Sequence, residues 1–113
     1  MTAGWPAQWL KGVLELCVLS VVGEGETYGY AIAQRLGRVG FGEIKGGTLY
    51  PILMRLETDG LIDSRWGEGS KGPGRKFYRL TDAGAAELAR RREQWHAFTK
   101  LTENLLNHGS RDD

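Results

Sequence analysis

Apolar and polar residues alternate along the chain in a pattern that predicts four helices and one β-hairpin, and residues 46–62 carry the clearest part of it. One apolar stripe, at positions i, i+3, i+4 and i+7 of a helix, is formed by Leu49, Ile52, Leu53 and Leu56. We expect Pro51 in the first turn, where its missing N–H costs no intrahelical hydrogen bond, so Thr48 is the predicted N-cap. Gly60 is expected to end the helix in a left-handed conformation. The pattern therefore predicts a helix over residues 48–59.

The face opposite this stripe is predicted to point outward, and it combines hydroxyl groups, an arginine and an aromatic ring. Its members are Thr48, Tyr50, Pro51, Met54, Arg55 and Thr58. Directly after the helix, the pattern predicts strands over 61–66 and 75–80, joined by a glycine-rich turn over 67–74. Tyr78 and Leu80 are expected to face inward. A helix with such an outer face, followed at once by a hairpin, is the order of a winged helix-turn-helix.

The predicted hairpin is also basic. Between residues 65 and 79 the positive side chains are Arg65, Lys71, Arg75, Lys76 and Arg79, and the only acid is Glu68. In a winged helix-turn-helix such a hairpin contacts phosphates while the helix enters a groove. The formal net charge of the whole chain is only +1, which is weak support for nucleic-acid binding. Binding depends on the local potential of the contact face, so this total does not exclude DNA.

The remaining helices are less regular. The first is expected to open at Pro6 and to run to about Val22; it is apolar on more than one face, which indicates that another subunit covers part of it. Thr27 is the predicted cap of a second helix, over residues 28–38. Thr81 is the predicted cap of the last helix, over 83–106, with Asp82 in its first turn. The expected division is a winged helix-turn-helix with its N-terminal helix over 1–80, and a dimerisation helix with a polar tail over 81–113, together one compact unit.

Several motifs occur together in a recognisable order. They are Tyr28-Gly29-Tyr30, Gly47-Thr48-Leu49-Tyr50-Pro51, Arg55-Leu56-Glu57, Gly60-Leu61-Ile62 and Lys76-Phe77-Tyr78-Arg79-Leu80-Thr81. With these motifs the chain resembles the PadR-type transcriptional regulators, in the branch with a single short C-terminal helix, from about Trp9 to Leu106. The resemblance implies a mainly α fold with a small β-hairpin, a winged helix-turn-helix plus one long C-terminal helix. It also implies a homodimer that binds double-stranded operator DNA, usually as a repressor, and releases it when a small molecule or another cue is sensed.

The predicted DNA-binding residues lie on the two central helices and the hairpin. They are Tyr28, Gln34, Arg35, Lys45, Thr48, Tyr50, Pro51, Arg55, Lys71, Arg75 and Lys76. Five of them have a structural alternative: Tyr50 as a core aromatic under the hairpin, Arg55 as a surface ion pair with Asp59, and Lys71, Arg75 and Lys76 as a solvated turn. A winged helix that binds a protein instead of DNA is the rival function, and the low net charge is its support.

The apolar positions of the last helix follow a seam close to a heptad, which favours packing between subunits. The predicted dimerisation residues are Val13, Leu88, Trp95, Phe98, Leu101 and Leu105. Trp95 either packs in the dimer core or, as in multidrug-responsive members of the branch that the chain resembles, stacks on a planar ligand at the dimer axis. The predicted effector set is Trp9, Leu16, Arg91, Arg92, Trp95 and Thr99. Arg91 and Arg92 would favour an anionic aromatic ligand.

Other chemistry has little support in the sequence. His96 and His108 lie on or after the last helix, the single cysteine lies in the first, and no metal-ligand spacing or catalytic constellation occurs. Cys17 is interpreted as a small buried hydrophobe. We therefore expect no enzyme activity, no cofactor and no metal. No stretch is long enough to span a bilayer, and the cytoplasm is the expected compartment.

Overall fold

A computed structural model of the chain describes residues 4–67 and 74–108. Four α-helices and three strands occur in the order α1 (Ala7–Gly23), β1 (Thr27–Tyr28), α2 (Gly29–Leu36), α3 (Gly46–Thr58), β2 (Ile62–Gly67), β3 (Arg75–Leu80) and α4 (Asp82–His108). A single π-helical turn, Gly37–Phe41, follows α2 directly. Gly40 and Gly42 have positive φ angles of 118° and 84°, which allow the chain to turn toward α3. The mainly helical fold with a winged hairpin and a long last helix, predicted from the sequence, is confirmed.

One hydrophobic core lies between the first three helices and the inner face of the sheet. Its fully buried side chains include Val18 and Leu19 of α1, Ile32 of α2, and Leu49 and Leu56 of α3. The predicted apolar stripe of α3 is therefore the face that packs against the rest of the domain. Burying each such side chain contributes about 1.5–3 kcal/mol, so α3 is fixed mainly by its packing.

The three strands form an antiparallel sheet in the order β1-β3-β2. In the hairpin, Ser64 lies opposite Tyr78, whose side chain is buried as predicted. The two-residue β1 pairs with the other edge of β3, with Thr27 opposite Tyr78. The prediction of Thr27 as a helix cap was wrong, because Thr27 belongs to this strand and the residue before α2 is Tyr28, with no side-chain capping bond.

The start of α3 also differs from the prediction. The helix begins at Gly46 with Lys45 as N-cap, so Thr48 is the third helical residue and Pro51 lies inside the helix. The Lys45 carbonyl accepts hydrogen bonds from the N–H groups of Thr48, at 2.9 Å, and Leu49, at 3.0 Å. An interior proline removes one helical hydrogen bond, a cost that the buried stripe offsets. The end was predicted correctly: Gly60 has a φ of 77°, and the Leu61 N–H donates back to the Leu56 carbonyl.

Helix α4 is attached to the domain by its first turns only. Thr81 caps it as predicted, with Oγ1 accepting a hydrogen bond of 2.9 Å from the Gly84 N–H. Gly84 lies so close to the Leu61 carbonyl that a Cβ would overlap it, and Leu88 is buried in the core. Beyond Arg91, Thr99 is half-buried and the other residues to His108 are exposed. None of the helices in the two described ranges is long and apolar enough to cross a membrane.

Candidate nucleic-acid interface

The surface of α3 opposite the core is open to solvent. Its outermost row consists of Gly47, Pro51, Met54 and Thr58, which recur at i, i+4, i+7 and i+11 and are all exposed. The Met54 side chain is 66% exposed, and nothing lies within 4 Å of the position that a Cβ on Gly47 would occupy. This ridge, which we call the α3 ridge, can therefore approach a large partner without obstruction by the rest of the domain.

A cleft of about 490 Å³ separates one flank of the α3 ridge from the wing, the hairpin of β2 and β3. The residues that line this wing cleft are Tyr28, Gly29, Tyr30, Tyr50, Met54, Glu57, Trp66, Gly74, Arg75, Lys76 and Tyr78. Four of the eleven residues predicted to bind DNA are among them: Tyr28, Tyr50, Arg75 and Lys76. The fold thus brings together residues from the start of α2, from α3 and from the wing.

Tyr50 combines the two roles that the sequence left open. Its side chain is 49% exposed in the wing cleft. On its other side it packs against Gly29 so closely that a Cβ at Gly29 would overlap the Tyr50 hydroxyl. Burial, with smaller contributions from Tyr50 and Glu57, raises the pKa of Tyr78 in the floor of the cleft. Gly29 in the Tyr28-Gly29-Tyr30 motif therefore leaves room for the Tyr50 ring against α2, and Tyr50 still presents one edge to solvent.

The basic residues of the wing cleft are held in different ways. The Arg75 guanidinium stacks on the ring of Tyr28, with Cζ 4.2 Å from the ring centroid. Lys76 Nζ lies 3.7 Å from one carboxylate oxygen of Glu57. The other carboxylate oxygen of Glu57 accepts a 2.6 Å hydrogen bond from the Ser64 hydroxyl. Arg75 forms no salt bridge with another described residue. Lys71, also predicted to bind phosphate, lies outside the described residues.

The sequence predicted a strongly positive wing, but in the fold two of its arginines are paired with carboxylates. Arg65 binds Glu26, with Nε 2.9 Å from Oε2, and Arg79 binds Asp63 at the same distance. Arg35 of α2 forms two hydrogen bonds, of 3.0 and 2.8 Å, with Glu24. Hydrogen bonding from Arg35 and Arg65 lowers the pKa values of Glu24 and Glu26, respectively. Asp63 belongs to the hairpin itself, whereas Glu26 precedes it along the chain and is not revealed by the charge pattern of the hairpin alone.

A second group of predicted DNA-binding residues lies on the other flank of α3. Lys45, Thr48, Pro51 and Arg55 border a hollow of about 540 Å³ between α3 and α1. Arg55 does not pair with Asp59, as one alternative had it, but reaches across to α1. Its Nε and Nη2 donate to one carboxylate oxygen of Glu15, at 3.1 and 3.0 Å. The side chain remains 58% exposed, so the pair lies at the surface of the hollow.

Glu15 connects this flank of α3 to α4. Its second oxygen accepts a hydrogen bond of 3.2 Å from Arg91 Nη1, while Arg91 Nε donates at 2.6 Å to Glu87. Glu87 also binds Arg90, and hydrogen bonds from Arg90 and then Arg91 lower the pKa of Glu87 to about 2. Arg91 therefore faces two carboxylates. The expectation that its charge would attract an anionic ligand does not fit this arrangement.

Trp95 is 37% exposed and separates two shallow hollows on the side of the molecule where α1 and α4 meet. The first, about 560 Å³, is lined by Lys11, Gly12, Glu15, Leu16, Arg91, Gln94, Trp95 and Phe98. The second, about 340 Å³, is almost wholly apolar and is lined by Trp5, Trp9, Leu10, Val13, Phe41 and Trp95. Five of the predicted effector and dimerisation residues meet Trp95 here: Trp9, Val13, Leu16, Arg91 and Phe98. Arg92 borders neither hollow, and Thr99 bonds to the Trp95 carbonyl at 2.9 Å.

The predicted dimer seam is only partly available. Leu88 is 7% exposed because it packs in the core of its own chain, so its assignment to the dimer interface was wrong. Phe98, Leu101 and Leu105 have exposed fractions of 60, 71 and 69%. A run of large apolar side chains with this exposure is unusual on an isolated domain.

Sequence reasoning did not assign a site role to several residues of these surfaces. Tyr30 and Trp66, both lining the wing cleft, are 66 and 71% exposed. Met54 was placed on the outer face of α3 but not among the DNA-binding residues, and Glu15 was not considered at all. The positions of Met54 and Trp66 on the expected recognition helix and wing could have indicated them. The exposure of Tyr30 and the contacts of Glu15 could not be read from the sequence.

The described residues include no group suited to bind a metal ion and no reactive thiol. Within residues 4–67 and 74–108, no three His, Cys, Asp or Glu side chains are grouped so that they could hold a metal ion. Cys17 is half-buried on α1, and burial raises the pKa of its thiol, which disfavours the reactive thiolate.

Comparison with known proteins identifies the family. The model of the PadR-like transcriptional regulator family matches residues 18–90. A transcriptional regulator of Mycobacterium tuberculosis is 36% identical over 99 residues, which cover 88% of this chain and 88% of the relative. A PadR family regulator from Eggerthella lenta has a solved structure with a TM-score of 0.81 at 36% identity, covering 93% of this chain and 89% of that one.

A PadR-like regulator from Bacillus cereus gives a TM-score of 0.78 at 37% identity, with coverage of 88% of this chain and 96% of the solved one. The sequence match includes α2, α3, the wing and the start of α4, the elements that build the interface described above. Sequence and fold agree on the same assignment. The chain belongs to the PadR-like family of transcriptional regulators.

Proposed function

We propose that this protein is a homodimeric transcriptional repressor that binds operator DNA sequence-specifically, with the α3 ridge in the major groove of each half-site. The observation that carries the proposal is the exposed ridge itself, which is flanked by Lys45 on one side and Arg75 on the other. Neither cation pairs with a carboxylate among the described residues. Two cations on either side of a protruding helix match the two phosphate backbones that border a groove.

The two flanks of α3 have different roles in this proposal. Arg75 and Lys76, together with Lys71, bind phosphates on one side of the groove. Lys45 and Arg55 approach the phosphates on the other. Gln34 and Arg35 of α2, with Tyr28 of β1, support the backbone contact. Thr48, Tyr50 and Pro51 lie nearer to the bases. Arg35 and Arg55 must exchange an intramolecular carboxylate for a phosphate, so they contribute less than Arg75.

Dimerisation follows from the exposed apolar side chains of α4. Phe98, Leu101 and Leu105 would be covered by α1 and α4 of a second copy, with Val13 and Trp95 at the edge of the same contact. A two-fold axis along this surface gives two α3 ridges that read two half-sites of a palindromic operator. A repressor of this kind acts on chromosomal DNA, so we expect it in the cytoplasm.

The effector in this proposal is a planar aromatic molecule held between the two copies of Trp95. Trp9 and Leu16 supply apolar walls, and each aromatic contact contributes about 0.5–1.5 kcal/mol beyond burial. An anionic preference would have to rest on Arg92, which borders neither hollow beside Trp95, because Arg91 is bound to Glu15 and Glu87. Tryptophan quenching by matched anionic and cationic planar dyes, with Trp95→Ala as control, tests both points: equal quenching in the variant would remove Trp95 from the site.

Salt dependence of DNA binding separates the proposal from its rival, a winged helix that binds protein only. We would titrate a fluorescent duplex from the region upstream of the coding sequence with the protein at 50 to 200 mM salt. Counterion release predicts that the logarithm of the association constant falls linearly with the logarithm of salt concentration. Absence of binding at the lowest salt concentration would refute the repressor function and leave the protein-binding alternative.

A further inference from the structure

The outermost row of the recognition helix is poor in groups that can form two hydrogen bonds with a base. The row consists of Gly47, Pro51, Met54 and Thr58, and only Thr58 among them has a polar side chain. Guanine and adenine are usually read by bidentate bonds from arginine, lysine, asparagine or glutamine. Arg55 is the one such side chain on α3 (Gly46–Thr58), and it is bound to Glu15 through two hydrogen bonds. The ridge therefore lacks the usual readers of purine bases.

The middle of the α3 ridge is instead apolar. Met54 is 66% exposed and lies at the middle of the ridge, next to Pro51. On the wing side, Tyr30 and Trp66 border the same cleft as Met54 and are similarly exposed, so the apolar surface continues toward the wing. Solvent-exposed apolar side chains that are grouped in this way mark a contact site. The flanking cations Lys45 and Arg75 make a nucleic acid the partner that complements the charge of its surroundings.

In the major groove, the apolar group that a base pair presents is the C5-methyl of thymine. We propose that Met54 contacts thymine methyl groups, so that sequence selection at the centre of each half-site depends on apolar contact and not on bidentate hydrogen bonds. A thioether chain is long and unbranched, and it adapts to a methyl group without a fixed hydrogen-bond geometry. Pro51, one turn earlier on the ridge, extends the contact toward the neighbouring base pair. This inference rests on the proposed function, because it specifies how the same helix reads its operator.

Deoxyuridine tests the contact because it differs from thymidine only by the missing methyl group. A binding site is first selected from a random duplex library with the full-length protein, and each thymine of the selected half-site is then replaced by deoxyuridine in both half-sites. Loss of one buried methyl corresponds to about a fourfold loss of affinity, so a pair of symmetric replacements should weaken binding about 15-fold. The loss should be the same at low and high salt, since an apolar contact releases no counterions.

Met54→Ala connects the effect to this side chain, and the exposed position of Met54 makes the variant compatible with folding. In Met54→Ala the same deoxyuridine replacement should change affinity less than twofold. Thr58→Ala, on the same ridge, is the matched control and should keep the 15-fold penalty of the wild type. A selected site that contains no thymine at the sensitive positions, or a penalty that Met54→Ala leaves intact, would overturn the inference while the repressor function stands. Failure to select any site would overturn both.

Discussion

Replacing Leu101 by alanine should weaken the dimer, because this side chain lies at the middle of the exposed apolar surface of α4. Leu101 is 71% exposed in the single chain. Full burial of a leucine side chain contributes about 1.5–3 kcal/mol, so covering the exposed part contributes about 1–2 kcal/mol. The two-fold axis doubles the loss to about 2–4 kcal/mol for the dimer. The dimer dissociation constant should rise about 30- to 700-fold.

Sedimentation equilibrium over a dilution series measures this constant directly. Lys100→Ala is the matched control: it shortens the neighbouring exposed side chain of the same helix to the same residue and should change the constant less than threefold. Circular dichroism should be unchanged at high concentration, because Leu101 makes no contribution to the core of its own chain. A dissociation constant for Leu101→Ala as low as that of the control would refute the reasoning, since α4 would then not carry the interface.

Three other outcomes follow from particular contacts. Gly84→Ala should destabilise the fold in thermal denaturation despite the higher helix propensity of alanine, because the added Cβ would overlap the Leu61 carbonyl. The reverse change at Ala86, an exposed position of the same helix, should cost only about 1 kcal/mol. The pKa of Glu87 is depressed to about 2 in the folded state, so its contribution to stability is present above pH 4–5 and is lost as the pH falls toward 2. Urea denaturation should accordingly show that Glu87→Gln is less stable than wild type at pH 7, and this difference in stability should vanish near pH 2. A difference that is the same at both pH values would show that the arginine contacts do not cause it. Arg75→Ala should reduce the salt slope of DNA binding by about one unit, whereas Arg65→Ala should reduce it less, because Glu26 already neutralises Arg65; equal slopes for the two variants would contradict this distinction.

The parts of the fold that depend on local chemistry could be predicted from the sequence. The bond between the Thr81 hydroxyl and the Gly84 N–H spans three residues, and the left-handed Gly60 terminates α3 through bonds to the turn before it. The buried stripe of α3 was readable for the same reason, since its period is a property of one helix. These features gave the winged helix and the long C-terminal helix in correct order.

Features that depend on distant residues could not be predicted in this way. The N-terminus of α3 has no side-chain cap, and the Lys45 backbone carbonyl accepts its first hydrogen bonds, so the helix starts earlier than the Thr48 hydroxyl indicates. The charge of the wing depends on Glu26 and Glu57, which pair with Arg65 and Lys76 only in the folded chain. Arg91 lies 76 positions from Glu15, its partner, and no local pattern connects the two.

The central claim, that the α3 ridge enters a groove of DNA, is tested most directly by placing a negative charge on the ridge. Met54→Glu adds a carboxylate at its most exposed point without touching the core, and Ala86→Glu adds the same charge at an exposed position of α4. Fluorescence anisotropy with the selected duplex at 100 mM salt should show binding at least tenfold weaker for Met54→Glu and nearly unchanged for Ala86→Glu. Equal affinities for the two variants would contradict the account, because the ridge would then lie away from the DNA.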